Sequence, residues 1–167
     1  MAENTLPRML TESETKCCPR FDPGPWDGKR FILKDRLFLK VKTRSLFHIP
    51  LNLGSVFTRT MRQITAADAT PDDFVVLSWD PSMWRGEHYF AVTKEIPGAE
   101  VVRMSGTFSS KVFEGPYADA PKWLAAVARD LVSRNETAER TYLYYTTCPN
   151  CAKHYGKNYV VALAKVS

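Results

Sequence analysis

No stretch of this 167-residue chain stays apolar over the roughly 20 residues that span a bilayer, which excludes a protein built on membrane helices. The first sixteen residues are polar and hold no continuous apolar run, so no signal peptide is expected and the expected location is the cytoplasm. G-x-S-x-G, H-E-x-x-H and a phosphate loop are all missing. That leaves no case for an ordinary esterase, a zinc protease or a nucleotide enzyme. Helix-turn-helix, RNP and basic-helix patterns are missing too, so the net charge of +5 is not read as a nucleic-acid footprint. Much of that charge lies between Lys29 and Arg44, where Leu37, Leu39 and Val41 alternate with Phe38, Lys40 and Lys42. The alternation predicts a strand with one buried and one mostly solvated face.

What is present is ordinary in bulk. The 44% hydrophobic and 25% charged fractions suit a soluble globular domain, and the length suffices for a core without staples. The organising stretch is Phe113-Glu114-Gly115-Pro116-Tyr117, between a strand-like segment, 100–112, and a helical one, 119–133. Pro116 has a fixed φ and no N–H, and suits a helix's first turn; Gly115 permits a sharp entry.

A second junction, Phe47-His48-Ile49-Pro50, precedes it by 66 residues. The same offset pairs Trp123 with Phe57, Val127 with Met61, Tyr142 with Val76 and Tyr145 with Trp79. A duplicated βαββ unit accounts for the pattern. The expected organisation is a tail and ordered loop over 1–29, then one domain over 30–167 with pseudo-repeats at about 30–95 and 100–167. The expected class is α+β: an antiparallel sheet, two helices on one face, and an aromatic ligand cleft.

In order along the chain, residues 1–16 read as a loose tail and 17–28 as an ordered loop anchored by Phe21 and Trp26. A first strand over 30–46 is expected to bulge or break near Lys34-Asp35. A helix over 50–64 carries Leu53, Val56, Phe57, Met61 and Ile64 on one stripe. Strands over 74–79 and 88–93 flank a loop at 80–87. The second unit has a strand over 100–112, kinked at Gly106, then a helix over 119–133 turning Trp123, Leu124, Val127 and Leu131 inward. Strands over 141–146 and 158–166 follow, joined by a loop at 148–157. The nearly continuous apolar run of the last strand fits a central position.

The four cysteines come as Cys17-Cys18 and Cys148-Pro149-Asn150-Cys151. C-x-x-C is a zinc half-site, but vicinal cysteines make a poor second half because neighbouring side chains diverge. One of them, Cys18, with Cys148, Cys151 and His154 would complete a Cys₃His set. The other readings are no metal at all, with 148–151 a turn between strands, or a thioredoxin-type pair. The last is disfavoured because no helix start is evident after the cysteines. No cofactor is expected otherwise.

Candidate acids and bases are Glu87, His88, Glu114 and His154. A carboxylate or imidazole at a helix start is also stabilised there for reasons unrelated to catalysis, and this applies to Glu114 and His48. Tyr142 and Tyr144 alternate with Tyr145 on one strand, while Trp79, Trp84, Tyr89, Tyr117, Tyr155 and Tyr159 lie in or beside others. They serve either as core and rim packing or as the walls of a cleft for a flat ligand.

Residues Thr107 to Leu131 resemble the signature of GyrI-like small-molecule-binding domains. There a strand ends in an aromatic or His-x-Gly-Pro-Tyr junction, and a helix with an aromatic near its second turn follows. The matching residues are Phe113, Gly115, Pro116, Tyr117 and Trp123. The resemblance implies the duplicated βαββ (SHS2-like) architecture over about residues 30–167 and a cleft between the halves for bulky, often aromatic and cationic compounds. Many members carry a Tyr-Glu pair five and four residues before a proline. Counting back from Pro149 gives Tyr144 and Tyr145, so the glutamate is replaced here.

The segment Tyr-Tyr-Thr-Thr-Cys-Pro-x-Cys, in a chain with no DNA-binding helical domain ahead of it, resembles a subgroup of hydrolases. These are similar to enzymes that open the cyclopropane of DNA-alkylating cyclopropanoid compounds. The resemblance implies detoxification by addition of water, with Glu114 as base and Tyr145 and Tyr117 as donors or water-holders, the proton roles being interchangeable. Trp84, Tyr89, Phe113, Tyr144, Trp79 and His48 would line the ligand. A non-catalytic drug binder or sensor, and a gyrase-inhibitor-like protein-binding module, are the alternatives. The expected partner is a bulky aromatic small molecule, not a membrane or nucleic acid, and the chain is a monomer or homodimer.

Overall fold

The computed structural model describes residues 4–8, 13–47 and 49–167. The fold is α+β. Its strands are β1 (Arg30–Leu46), β2 (Ile49–Pro50), β3 (Val76–Ser82), β4 (Arg85–Ala91), β5 (Val101–Glu114), β6 (Ala138–Tyr145) and β7 (Tyr159–Val166). The helices are α1 (Leu53–Ala66), α2 (Ala120–Ser133) and α3 (Pro149–Tyr155), with a 3-10 turn at Tyr117–Asp119. The chain forms two compact units, Lys34–Ser105 and Met1–Leu33 with Gly106–Ser167. Their boundaries fall within β1 and β5, beside Asp35 (φ +50°) and Gly106 (φ +141°), the two places where the sequence signals a break.

In the 34–105 unit, β4 pairs antiparallel with both β1 and β3. α1 covers one face of these strands, burying Val56, Thr60 and Ile64 at helical spacing. Ile64 packs with Leu39, Phe90, Val92 and Ile96, and Phe57 meets Phe90 edge-on at 4.8 Å.

α1 begins at Leu53 rather than at residue 50, because Pro50 is spent pairing β2 with Ser45 and Asn52 takes the N-cap position. The expected loop at 80–87 is largely hairpin. The β3–β4 register runs from Val76–Phe90 to Ser82–Arg85 across a bulge that takes up Asp80 and Pro81. A bulge is where a strand tolerates proline.

In the other unit, β7 lies between β5 and β6, antiparallel to both. Val160, Ala162 and Ala164 face α2, where Trp123, Val127 and Leu131 close the core. Alternation sends Val161 and Leu163 to the second face, with Phe108 and Tyr142. Burial on both faces explains the apolar run read in the sequence. Part of the expected loose tail is packed: Leu6 is buried and the Asn4 N–H donates to the Ile32 carbonyl.

α1 and α2 end alike. The N–H of Ala69 donates to Ile64 and that of Asp68 to Thr65; Glu136 donates to Leu131 and Asn135 to Val132. Asp68 and Asn135 take positive φ, so both ends are Schellman motifs built without glycine.

The expected connecting loop at 148–157 contains α3. Pro149 occupies its first turn, where no N–H is needed, the Ala152 N–H closes on the Cys148 carbonyl, and Gly156 at φ +72° ends it. The objection that no helix follows the C-x-x-C cysteines is thereby removed.

Candidate active site

β4 carries Glu87, His88 and Tyr89 in succession, all buried. Strand alternation puts Glu87 and Tyr89 on one face and His88 on the other. On the first face the Tyr89 hydroxyl donates to Glu87 Oε2 at 3.3 Å, and Lys40 Nζ lies 3.2 Å from Oε1. Register places them: Lys40 is directly opposite Tyr89 and Trp79 directly opposite Glu87. Opposed residues share a face, so these four make one polar-aromatic group. In such a group the carboxylate can accept a proton, while the O–H and the ammonium are the donors that can stabilise a developing anion.

His88 faces α1, with Thr43 Oγ1 at 2.9 Å from Nε2, Ser78 Oγ at 2.8 Å from Nδ1 and the Phe57 ring edge-on. Burial pulls its pKa down to about 4, so the imidazole is neutral near pH 7. Gly86 makes room for this arrangement, since a Cβ there would stand 2.7 Å from Thr43 Oγ1 and 3.2 Å from His88 Nε2. Trp84 sits exposed at the hairpin turn against Phe47, 5.4 Å between ring centroids. His48 lies outside the described residues.

In the other unit Glu114 ends β5, exposed, directly opposite Tyr159. Phe113 points to the other face and stacks on Trp123 at 5.7 Å. Tyr145 shares that face, opposite Val160, and meets Tyr117 edge-on at 5.5 Å. The two tyrosines are thus together, while Glu114 is directed to the opposite side of the sheet from Tyr145. The Tyr117 hydroxyl donates to the Thr147 carbonyl at 2.6 Å, and burial pushes its pKa up. Tyr144 faces Phe21 and Trp26, where burial pushes its phenol up to about 12.

An open pocket of about 220 Å³ lies near Tyr159, lined by Arg20, Phe21, Thr146, Thr147, Tyr155 and Lys157. That is below the roughly 300 Å³ at which drug-sized ligand sites begin. Beside it the four cysteines converge. The Sγ atoms of Cys17, Cys18, Cys148 and Cys151 all lie within 4.8 Å of one another. Thr15 Oγ1 stands 3.2 Å from Cys151 Sγ and, with neighbouring thiols, draws that thiol down to about 6. His154 is instead exposed beside Glu14, 3.5 Å between Nε2 and Oε2. The fourth member of the cluster is therefore Cys17.

Two members of these groups escaped the sequence reading. Lys40 lay in a basic run whose alternation points to a solvated face; only pairing to β4 places it beside Glu87. The divergence of vicinal side chains argues against Cys17 and Cys18 serving together, yet their Sγ atoms are 3.7 Å apart in a turn where Lys16 has φ +57°.

A family model described as bacterial hydrolase matches residues 9–166. No curated protein matches the chain. Among solved structures it is similar to a hydrolase from Listeria innocua, at 12% identity and a TM-score of 0.59, covering 83% of this chain and 91% of that one. It is also similar to an uncharacterized conserved protein from Listeria innocua, at 11% identity and a TM-score of 0.58 with the same coverage. At such identities the likeness is one of fold.

Proposed function

We propose that this chain, which belongs to the bacterial hydrolase family, adds water to a strained, electrophilic ring in a bulky aromatic compound. The observation that carries the reading is the buried Glu87 carboxylate, held by the Tyr89 hydroxyl and the Lys40 ammonium on a face shared with Trp79. The ring is taken to be a cyclopropane conjugated to a dienone, as the resemblance to cyclopropanoid hydrolases suggests. Glu87 takes a proton from water while the water oxygen bonds to a cyclopropane carbon. The C–C bond breaks and its electron pair passes through the conjugated system to the carbonyl oxygen. That oxygen becomes a phenolate, which an O–H or ammonium donor stabilises and protonates. No covalent intermediate is needed, so the missing serine-nucleophile motif is no obstacle.

Glu114 is the alternative base. It has a defined direction from the Gly115-Pro116 turn, but its exposure gives it less of the water exclusion that strengthens such a group. The test is incubation of the full chain with a spirocyclopropyl cyclohexadienone, followed by mass spectrometry for the gain of one water. Turnover that survives in wild type and is lost in Glu87→Gln supports the reading. Saturable binding of the compound without any hydrated product would make the protein a non-catalytic binder.

A further inference from the structure

We propose that Cys17, Cys18, Cys148 and Cys151 bind one zinc ion as a closed tetrathiolate site. The sulfur geometry carries the inference. Zinc–thiolate bonds of about 2.3 Å in a tetrahedron put the sulfurs about 3.8 Å apart. Here all four lie within 4.8 Å of one another, and the Cys17 and Cys18 sulfurs are 3.7 Å apart. That spacing suits ligands of a common ion and is far longer than the roughly 2.05 Å of a disulfide.

The surroundings are those of a metal site. The Cys148 N–H points to Cys18 Sγ at 3.4 Å, and Thr15 Oγ1 lies 3.2 Å from Cys151 Sγ. Donors of this kind orient thiolates and offset their charge. The Cys18 carbonyl is fixed in turn by Ser13 Oγ at 2.7 Å and by the Tyr155 hydroxyl. Four soft sulfur ligands in a tetrahedral arrangement select zinc over harder cations.

Four protein ligands leave no open position, so the ion is a staple rather than a Lewis acid. It ties the turn at residues 13–18 to α3, a seven-residue helix too short to hold itself. Arg20 and Phe21 lie two and three residues after Cys18, and Tyr155 ends α3. The zinc thereby sets one wall of the small pocket. The inference does not depend on the hydrolase reading, and its test does not use activity.

The test is metal analysis of the full chain purified without chelator. One zinc per chain is expected, with the four thiols unreactive toward Ellman's reagent until a chelator is added. Cobalt substitution should give the near-ultraviolet charge-transfer and red d–d bands of a tetrathiolate. Cys17→Ser should lower zinc affinity at least tenfold while His154→Ala leaves it unchanged. If Cys17→Ser fails to fold, X-ray absorption on wild type still decides, four sulfur scatterers being expected. Four freely reactive thiols without zinc, a mass four hydrogens short from two disulfides, one iron in place of zinc, or metal lost with His154 but kept without Cys17 would each overturn the proposal.

Discussion

The hydroxyl of Tyr89 donates to the carboxylate of Glu87 at 3.3 Å, two residues away on the same strand face. The pair is local in sequence, but its third member is not. Lys40 arrives from β1, 3.2 Å from Glu87 and 5.9 Å from the centre of the Tyr89 ring. A buried carboxylate with two donors can be structural or can work as a base, and substitution separates these roles.

Glu87→Gln keeps the shape and most hydrogen bonding but cannot accept the proton. Turnover of the spirocyclopropyl dienone should fall by about 10²–10⁴, the range for general acid–base catalysis, with binding within a few-fold of wild type. Tyr89→Phe should lose less, since Lys40 remains as a donor. Glu114→Gln should stay within about threefold. Rates measured for the three variants give a clear reversal if Glu114 is the base: Glu114→Gln would be dead and Glu87→Gln active.

His88 supplies a prediction about pH. Its folded pKa of about 4 lies below its ordinary 6.5 because the charged form loses hydration among Thr43, Ser78 and Phe57. The unfolded chain therefore binds a proton that the folded chain refuses. Stability is complete above pH 6.5 and declines as pH falls toward 4, by on the order of 3 kcal/mol from this group. Urea denaturation of wild type and His88→Gln at pH 7 and 4.5 should show a smaller pH-dependent loss in the variant. Equal losses would mean that the imidazole charges without cost.

Gly115 adopts φ +149°, a conformation that side chains rarely take. Its N–H donates to the Asn158 carbonyl at 3.1 Å, and its carbonyl accepts from Asn158 Nδ2 at 2.7 Å. The turn therefore cannot relax without breaking contacts to the start of β7. Gly115→Ala should cost about 1–3 kcal/mol in urea denaturation. A change below about 0.5 kcal/mol would show that the turn has another accessible geometry.

Much of this could be read from the residues. The α2 stripe is a periodic signal that survives at Trp123, Val127 and Leu131, whereas Leu124, expected to face inward, is exposed. In β1 the strand forms, but the expected solvated face fails at Phe38, which is fully buried, and at Lys40, which is mostly covered beside Glu87. The backbone break beside Lys34-Asp35 and the kink at Gly106 were visible as turn-prone residues within strands. α3 was not legible because seven residues give less than two clear helical repeats, and Gly156 and Lys157 resemble a loop. The hairpin at Met83-Trp84 was masked by Pro81, which marks a bulge rather than the end of a strand. The cysteine cluster joins segments about 130 residues apart, and no local spacing encodes that meeting. The Lys40–Glu87 pair depends on register in the same way.

Tyr117 shows that part of the Phe113–Tyr117 junction is committed to structure. Its hydroxyl is committed to the Thr147 carbonyl at 2.6 Å, next to Cys148, and Thr147 is itself buried. A phenol spent on a buried carbonyl is not free to protonate a substrate unless that bond is exchanged. Tyr117→Phe removes the donor and leaves the carbonyl without it, a loss of about 1–3 kcal/mol. Its ring should keep the edge-on contact with Tyr145, so the packing part of the interaction survives. Urea denaturation should therefore register the loss while the hydration rate of the dienone stays within about twofold of wild type. An unchanged midpoint with a rate lowered about a hundredfold would reverse the assignment and place the Tyr117 hydroxyl on the reacting compound.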